Sequence, residues 1–108
     1  MDTGALLDGY HSDMTRTVAL GAVSEEQRAV YDTVLKAHLA VLDAVKPGLP
    51  CNEADRIARD IIEKDYPGTF GHGLGHGVGV EIHEEPGFQA GPTPAKRVWW
   101  SPTSPASI

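Results

Sequence analysis

With 108 residues, a net charge of −6 and a sequence pI near 5.2, the chain has room for one small domain with one core. That acidic balance, without a basic cluster, argues against a nucleic-acid or anionic-membrane surface. Cys51 is the single cysteine, so neither a disulfide framework nor a thiolate metal cage is available. There is no basic segment leading into an apolar one and no run of about 18 apolar residues. The expectation is a cytoplasmic protein with no nucleic-acid and no membrane partner.

Residues 2–17 read as a β-hairpin, because Asp8-Gly9 is a type I′ turn signal between two strand-like stretches. With those two residues as the loop, Leu7 pairs with Tyr10, Gly4 with Asp13 and Asp2 with Thr15. Asp2 and Asp13 then become diagonal neighbours on one face, roughly 7–8 Å apart at the backbone. Ser24-Glu25-Glu26-Gln27 is a capping box that opens a long helix. Val30, Val34, Ala37, Val41 and Val45 form its apolar stripe, and Pro47-Gly48 ends it. Asn52 is the expected cap of a second helix, which buries Ala54, Ile57, Ala58, Ile61 and Ile62 and stops at Tyr66-Pro67-Gly68.

Residues 69–83 return to extended structure in this reading, with glycine at every second position from Gly71 to Gly79. Each such glycine weakens a helix by up to about 1 kcal/mol. In an extended chain the same spacing lets another group approach the backbone closely. His72, His76 and His83 sit within this stretch, and histidine is the commonest metal ligand. Asp2, Asp13 and His76 together suit a hard or borderline ion such as Mn²⁺, Co²⁺ or Zn²⁺. Two such ions about 3.5–4 Å apart can activate a shared water. On spacing alone, Asp2 and Asp13 read equally well as ordinary acids flanking a turn. His38, alone on a helix, is read as structural or surface.

Beyond Glu85 the composition changes. No acidic residue follows, and residues 91–108 hold four of the eight prolines and both tryptophans, Trp99 and Trp100. The chain therefore divides into residues 1–90 and a tail, 91–108, that does not read as part of the same domain.

Two stretches, "DTGALLDGYHSDMTRT" at 2–17 and "HGLGHGVGVEIHEEP" at 72–86, with "VKPG" between the helices, resemble the pita-bread-fold metallopeptidases. These are the Xaa-Pro aminopeptidases, prolidases and methionine aminopeptidases. The aspartate spacing of eleven and the histidine spacings of four and seven both match that pattern. The resemblance implies an α+β chain carrying part of the pita-bread (creatinase/aminopeptidase) fold, a hairpin and two helices packed on a curved antiparallel sheet. It implies two divalent metal ions (Mn, Co or Zn), with Asp2 chelating one, Asp13 bridging both and His76 binding the second. His83 and His72 take the catalytic and substrate-binding places, His83 steadying the tetrahedral intermediate and His72 lining the substrate site. The implied activity is hydrolysis of Xaa-Pro bonds in proline-containing peptides by a metal-activated hydroxide, and intact relatives of this kind are expected as homodimers. "SDMTRT" and His72 favour the Xaa-Pro branch. A methionine aminopeptidase, or a non-catalytic fragment of the fold, is the alternative.

The resemblance also exposes a gap. The family pattern needs two further glutamates, one in a "GMVxTxEPGIY"-like strand, and neither is present, so this chain alone is expected to be inactive. A shifted reading frame accounts for the first. If Val98 is GTA, permitted codons for the next ten residues read, one nucleotide earlier, as ATG GTG GTC ACC GAC GAG CCC GGC ATC TAT. That spells M-V-V-T-D-E-P-G-I-Y. The expectation is that the tail is frame-shifted translation and that the chain is the middle of a longer peptidase.

Overall fold

The computed structural model describes residues 1–88. The division near residue 90 and the tail at 91–108 lie outside the described residues. The chain begins with β1 (Asp2–Leu7) and β2 (Tyr10–Thr15), an antiparallel pair in the expected register, Leu7 opposite Tyr10, Gly4 opposite Asp13 and Asp2 opposite Thr15. Asp8 and Gly9 turn the corner at φ values of 51° and 82°. Both are positive, as a type I′ turn demands.

Helix α1 runs Glu25–Ala44. Its start is reciprocal capping: the Gln27 amide donates to Ser24 Oγ at 3.1 Å, and the Ser24 amide donates to Gln27 Oε1 at 3.0 Å. Helix α2 runs Cys51–Asp65. Its cap corrects the expectation of Asn52. Pro50 is the cap residue and holds an extended conformation, and its carbonyl accepts from the amides of Glu53 and Ala54. Asn52 therefore sits one residue inside the helix, where its side chain makes no cap. Proline fits here because it lacks the amide that would need a partner at a helix start.

Ala37, Val41 and Val45 of α1 close on Cys51, Ala54 and Ala58 of α2 to make the core, with Phe88 completing it. Ile57, Ile61 and Ile62 are partly buried against that cluster. The expected α1 stripe is covered only in its C-terminal half, for Val30 and Val34 remain 40% and 49% exposed.

Residues 69–83 are less regular than their glycine spacing suggests. Only β3 (Gly75–Gly77) forms ladder, pairing antiparallel with β4 (Glu84–Phe88) across a bulge. Strand β4 was not foreseen, because Pro86-Gly87 reads as a breaker. Its partner explains it. A side chain at Gly77 would lie 2.6 Å from the Glu85 carbonyl oxygen and 2.8 Å from that of Glu84, so only glycine lets β4 approach this closely. The described chain is thus α+β, with two short antiparallel ladders. A backbone hydrogen bond of 2.7 Å from His11 to the Gly79 carbonyl connects them.

Candidate metal centre

Alternation along β1 and β2 puts Asp2, Gly4, His11 and Asp13 on one face of the hairpin. That face meets the histidine segment. Gly4 lies under Ile82, and His11 anchors the contact, its Nδ1 lying 2.9 Å from the Val80 carbonyl oxygen. His11 and Asp13 are half-buried as a result, whereas the opposite face of the hairpin is exposed.

From the other side, β3 delivers His76. Its Nε2 stands 3.4 Å from Asp13 Oδ2, joining residues from opposite ends of the described chain. Its Nδ1 lies 3.0 Å from the Gly77 carbonyl oxygen. A carbonyl only accepts, so Nδ1 carries the hydrogen, and in the neutral ring Nε2 is then a bare lone pair. It faces a carboxylate oxygen, which is also an acceptor. Two acceptors at this distance need a cation between them, either a proton on the ring or a metal ion. A carbonyl holding the far ring nitrogen is the usual companion of a ligating histidine. Two donors about 2.0–2.2 Å from one tetrahedral ion stand about 3.3–3.6 Å apart, so the pair fits as two ligands of a single ion.

The remaining candidates are less closely assembled. His83 packs against His76, ring centroids 4.2 Å apart and planes tilted by 51°. Asp2 instead accepts a 3.4 Å hydrogen bond from Thr15 Oγ1. Among the described residues no group of three histidine, cysteine or acidic side chains is gathered closely enough to hold a metal. Among the described residues the geometry supplies two donors for one ion and no donor set for a second.

The Metallopeptidase family M24 pattern matches residues 1–98. The chain belongs to that family. A curated relative, the Xaa-Pro dipeptidase of Pyrococcus furiosus, is 51% identical over 87 residues, which are 80% of this chain and 25% of that one. The Xaa-Pro dipeptidase of Lactobacillus helveticus is 46% identical over 91 residues, again 25% of its length. The solved prolidase from Pyrococcus furiosus superimposes with a TM-score of 0.84 at 47% identity, covering 88% of this chain and 29% of that one. The X-Pro aminopeptidase from Thermotoga maritima gives 0.83 at 39% identity, covering 88% and 28%. This chain thus spans about a quarter of the length of the curated relatives it matches. The likeness extends to the N-terminal domain of FACT complex subunit SPT16 from chickpea, with a TM-score of 0.76 at 30% identity, covering 88% and 23%. The metallopeptidase fold expected from the two motifs is therefore the fold of this chain.

Within this M24 chain, His72 stands apart from the Asp13–His76 pair and lines a cavity of about 420 Å³ with His38, Tyr31, Phe70 and Leu74. Its imidazole meets the Phe70 ring edge-on, centroids 5.1 Å apart, and its Nδ1 lies 2.7 Å from the Gly73 carbonyl oxygen. His38, expected to be structural or surface, is half-buried on α1 as part of the same wall. Two residues beneath the cavity escaped the sequence reading. Asp55 of α2 is 7% exposed and takes Arg59 by two hydrogen bonds, Nε to Oδ2 at 3.0 Å and Nη2 to Oδ1 at 3.2 Å. The Asp55 carboxylate accordingly raises the Arg59 pKa above its usual value. A signal for them exists: Asp55 falls among Cys51, Ala54 and Ala58 on the buried face of α2, where a carboxylate needs a partner.

Proposed function

We propose that this chain carries part of the active site of a metal-dependent peptidase for Xaa-Pro bonds, with proline-containing peptides as substrates. The observation that carries it is His76 Nε2 facing the Asp13 carboxylate at 3.4 Å, an imidazole and a carboxylate on converging strands with room for a cation between them. Support comes from relatives named Xaa-Pro dipeptidase that share 51% and 46% of aligned residues with it. No helix among the described residues is long and apolar enough to cross a membrane.

Asp13 and His76 are the residues that would hold a divalent ion, of the Mn, Co or Zn kind. Such an ion supplies Lewis acidity toward a peptide carbonyl and lowers the pKa of a bound water. The chain's own residues do the rest. The Gly77 carbonyl keeps the His76 hydrogen on Nδ1 and so leaves Nε2 free to ligate. In the proposal His83, which packs on His76, would donate to the oxygen of a tetrahedral intermediate. Likewise His72, which lines the cavity and has its Nδ1 held by the Gly73 carbonyl, would recognise a substrate group there. In the proposal Asp2 and Asp13, with two further glutamates, would hold a second ion, two copies of the protein pair, and the setting is cytoplasmic.

The frame-shift reading belongs to the same proposal. The family match ends at residue 98, and the alternative frame that spells M-V-V-T-D-E-P-G-I-Y starts on the last base of the Val98 codon. A protein made from the restored frame is expected to cleave Ala-Pro in the presence of Mn²⁺ and to leave Met-Ala largely intact. Preference for Met-Ala points instead to a methionine aminopeptidase. Failure on both, with or without metal, overturns the proposal. A non-catalytic role is the second reading. It is favoured by the lack of a three-ligand group among the described residues.

A further inference from the structure

We infer that Asp55 and Arg59 form a positioning pair that acts on His72 through its backbone, fixing which of its ring nitrogens carries the hydrogen. This inference rests on the proposed role of His72 in substrate recognition.

Segment 70–74 has little ladder of its own, yet it carries the imidazole. It is pinned at alternate residues from α2. Arg59 Nη1 donates to the Phe70 carbonyl at 2.6 Å, and Nη2 donates to the His72 carbonyl at 3.0 Å. The Leu74 amide is shared, donating to the Phe88 carbonyl of β4 at 2.8 Å and to Asp55 Oδ1 at 3.0 Å. The same guanidinium lies 4.5 Å over the centre of the Phe70 ring, whose edge meets His72. Three backbone groups and one ring are thereby held by one ion pair, on both sides of Gly73.

The Gly73 carbonyl is the group that accepts from His72 Nδ1. Held there, it keeps the hydrogen on Nδ1 and leaves Nε2 an acceptor at the cavity wall. The planar fork of arginine suits this task, since it reaches two carbonyls and a carboxylate at once; lysine supplies a point charge without that geometry. Residues Asp55 and Arg59 touch no substrate in this arrangement and act through His72.

The test is nitrogen-15 NMR of the imidazoles in the 108-residue chain, without metal or peptide, about two pH units above the usual histidine pKa. The native chain is expected to show His72 as a single Nδ1–H tautomer. In Arg59→Met its two ring signals should move toward the averaged values of mixed tautomers, while His11 and His76 keep theirs. Arg59→Lys, which retains the charge and folds if the methionine variant does not, should give an intermediate loss. An unchanged His72 signature in either folded variant overturns the inference. So does an equal change in all three rings, which is what general loosening produces. Because no peptide is present, the outcome is separable from the peptidase reading. If the His72 signature is lost in Arg59→Met but the restored-frame protein ignores Ala-Pro, the pair stands and the substrate assignment falls.

Discussion

Val41 and Cys51 are fully enclosed between α1 and α2, whereas Leu7 and Tyr10, at the tip of the hairpin, are 74% and 64% exposed. The helical half is joined by apolar surfaces, a seam of small side chains closed at one end by Phe88. The hairpin is joined to its neighbour by individual groups: His11 to the backbone at 79 and 80, Asp13 to His76, and Ile82 over Gly4. Apolar burial contributes about 25 cal/mol per Å², and partly exposed polar contacts contribute far less. The candidate metal ligands therefore lie across the weaker joint. Each half supplies one donor, and an ion between them would strengthen the contact that the protein alone leaves loose.

This contrast can be broken by mutation. The largest effect is expected from Val41→Ala, which empties part of the seam and should lower stability by about 2–3 kcal/mol in a denaturant titration. Asp55→Asn comes next. It weakens the support of Arg59 and of the Leu74 amide and should lower stability by about 1–3 kcal/mol. Gly9→Ala strains a turn residue at a φ of 82° and costs about 1 kcal/mol. That loss should appear as faster amide exchange in β1 and β2, with the main unfolding transition nearly unmoved. A shift of the main transition as large as that of Val41→Ala would mean the halves unfold as one unit.

The smallest effect is a pH dependence. Burial, helped by the nearby Glu85 carboxylate, holds the Cys51 thiol above its ordinary value of 9.0. Below that value the thiol is neutral in both states and its contribution to stability is complete. As the pH rises further, the unfolded chain loses its proton while the folded chain keeps it, so stability falls by at most about 1.4 kcal/mol per pH unit. Unfolding midpoints of the native chain and of Cys51→Ala should diverge only above about pH 9.

How much of this was legible follows the same division. The hairpin register was readable because Asp8-Gly9 admits few alternatives, and the start of α1 because Ser24 and Gln27 can cap each other. Such signals are local. The start of α2 was misplaced by two residues, since Asn52 is the better cap in isolation and Pro50 serves through its backbone. Strand β4 was hidden because Pro86-Gly87 argues against a strand unless a glycine-lined partner waits for it. The approach of Asp13 to His76 is suggested by ligand chemistry and specified by the family resemblance, for no local rule brings residues 63 positions apart together. The Asp55–Arg59 pair, one helical turn apart, has the spacing of an ordinary surface pair and goes unremarked in the sequence. Its reach to the carbonyls of Phe70 and His72 is a tertiary fact.

The central claim is that Asp13 and His76 form a two-donor site for one divalent ion. Calorimetric titration of the 108-residue chain with Mn²⁺ tests it most directly. The account predicts weak binding of one ion, abolished by Asp13→Ala and by His76→Ala alike. Binding that survives both substitutions, or tight uptake of two ions by this chain, would contradict it.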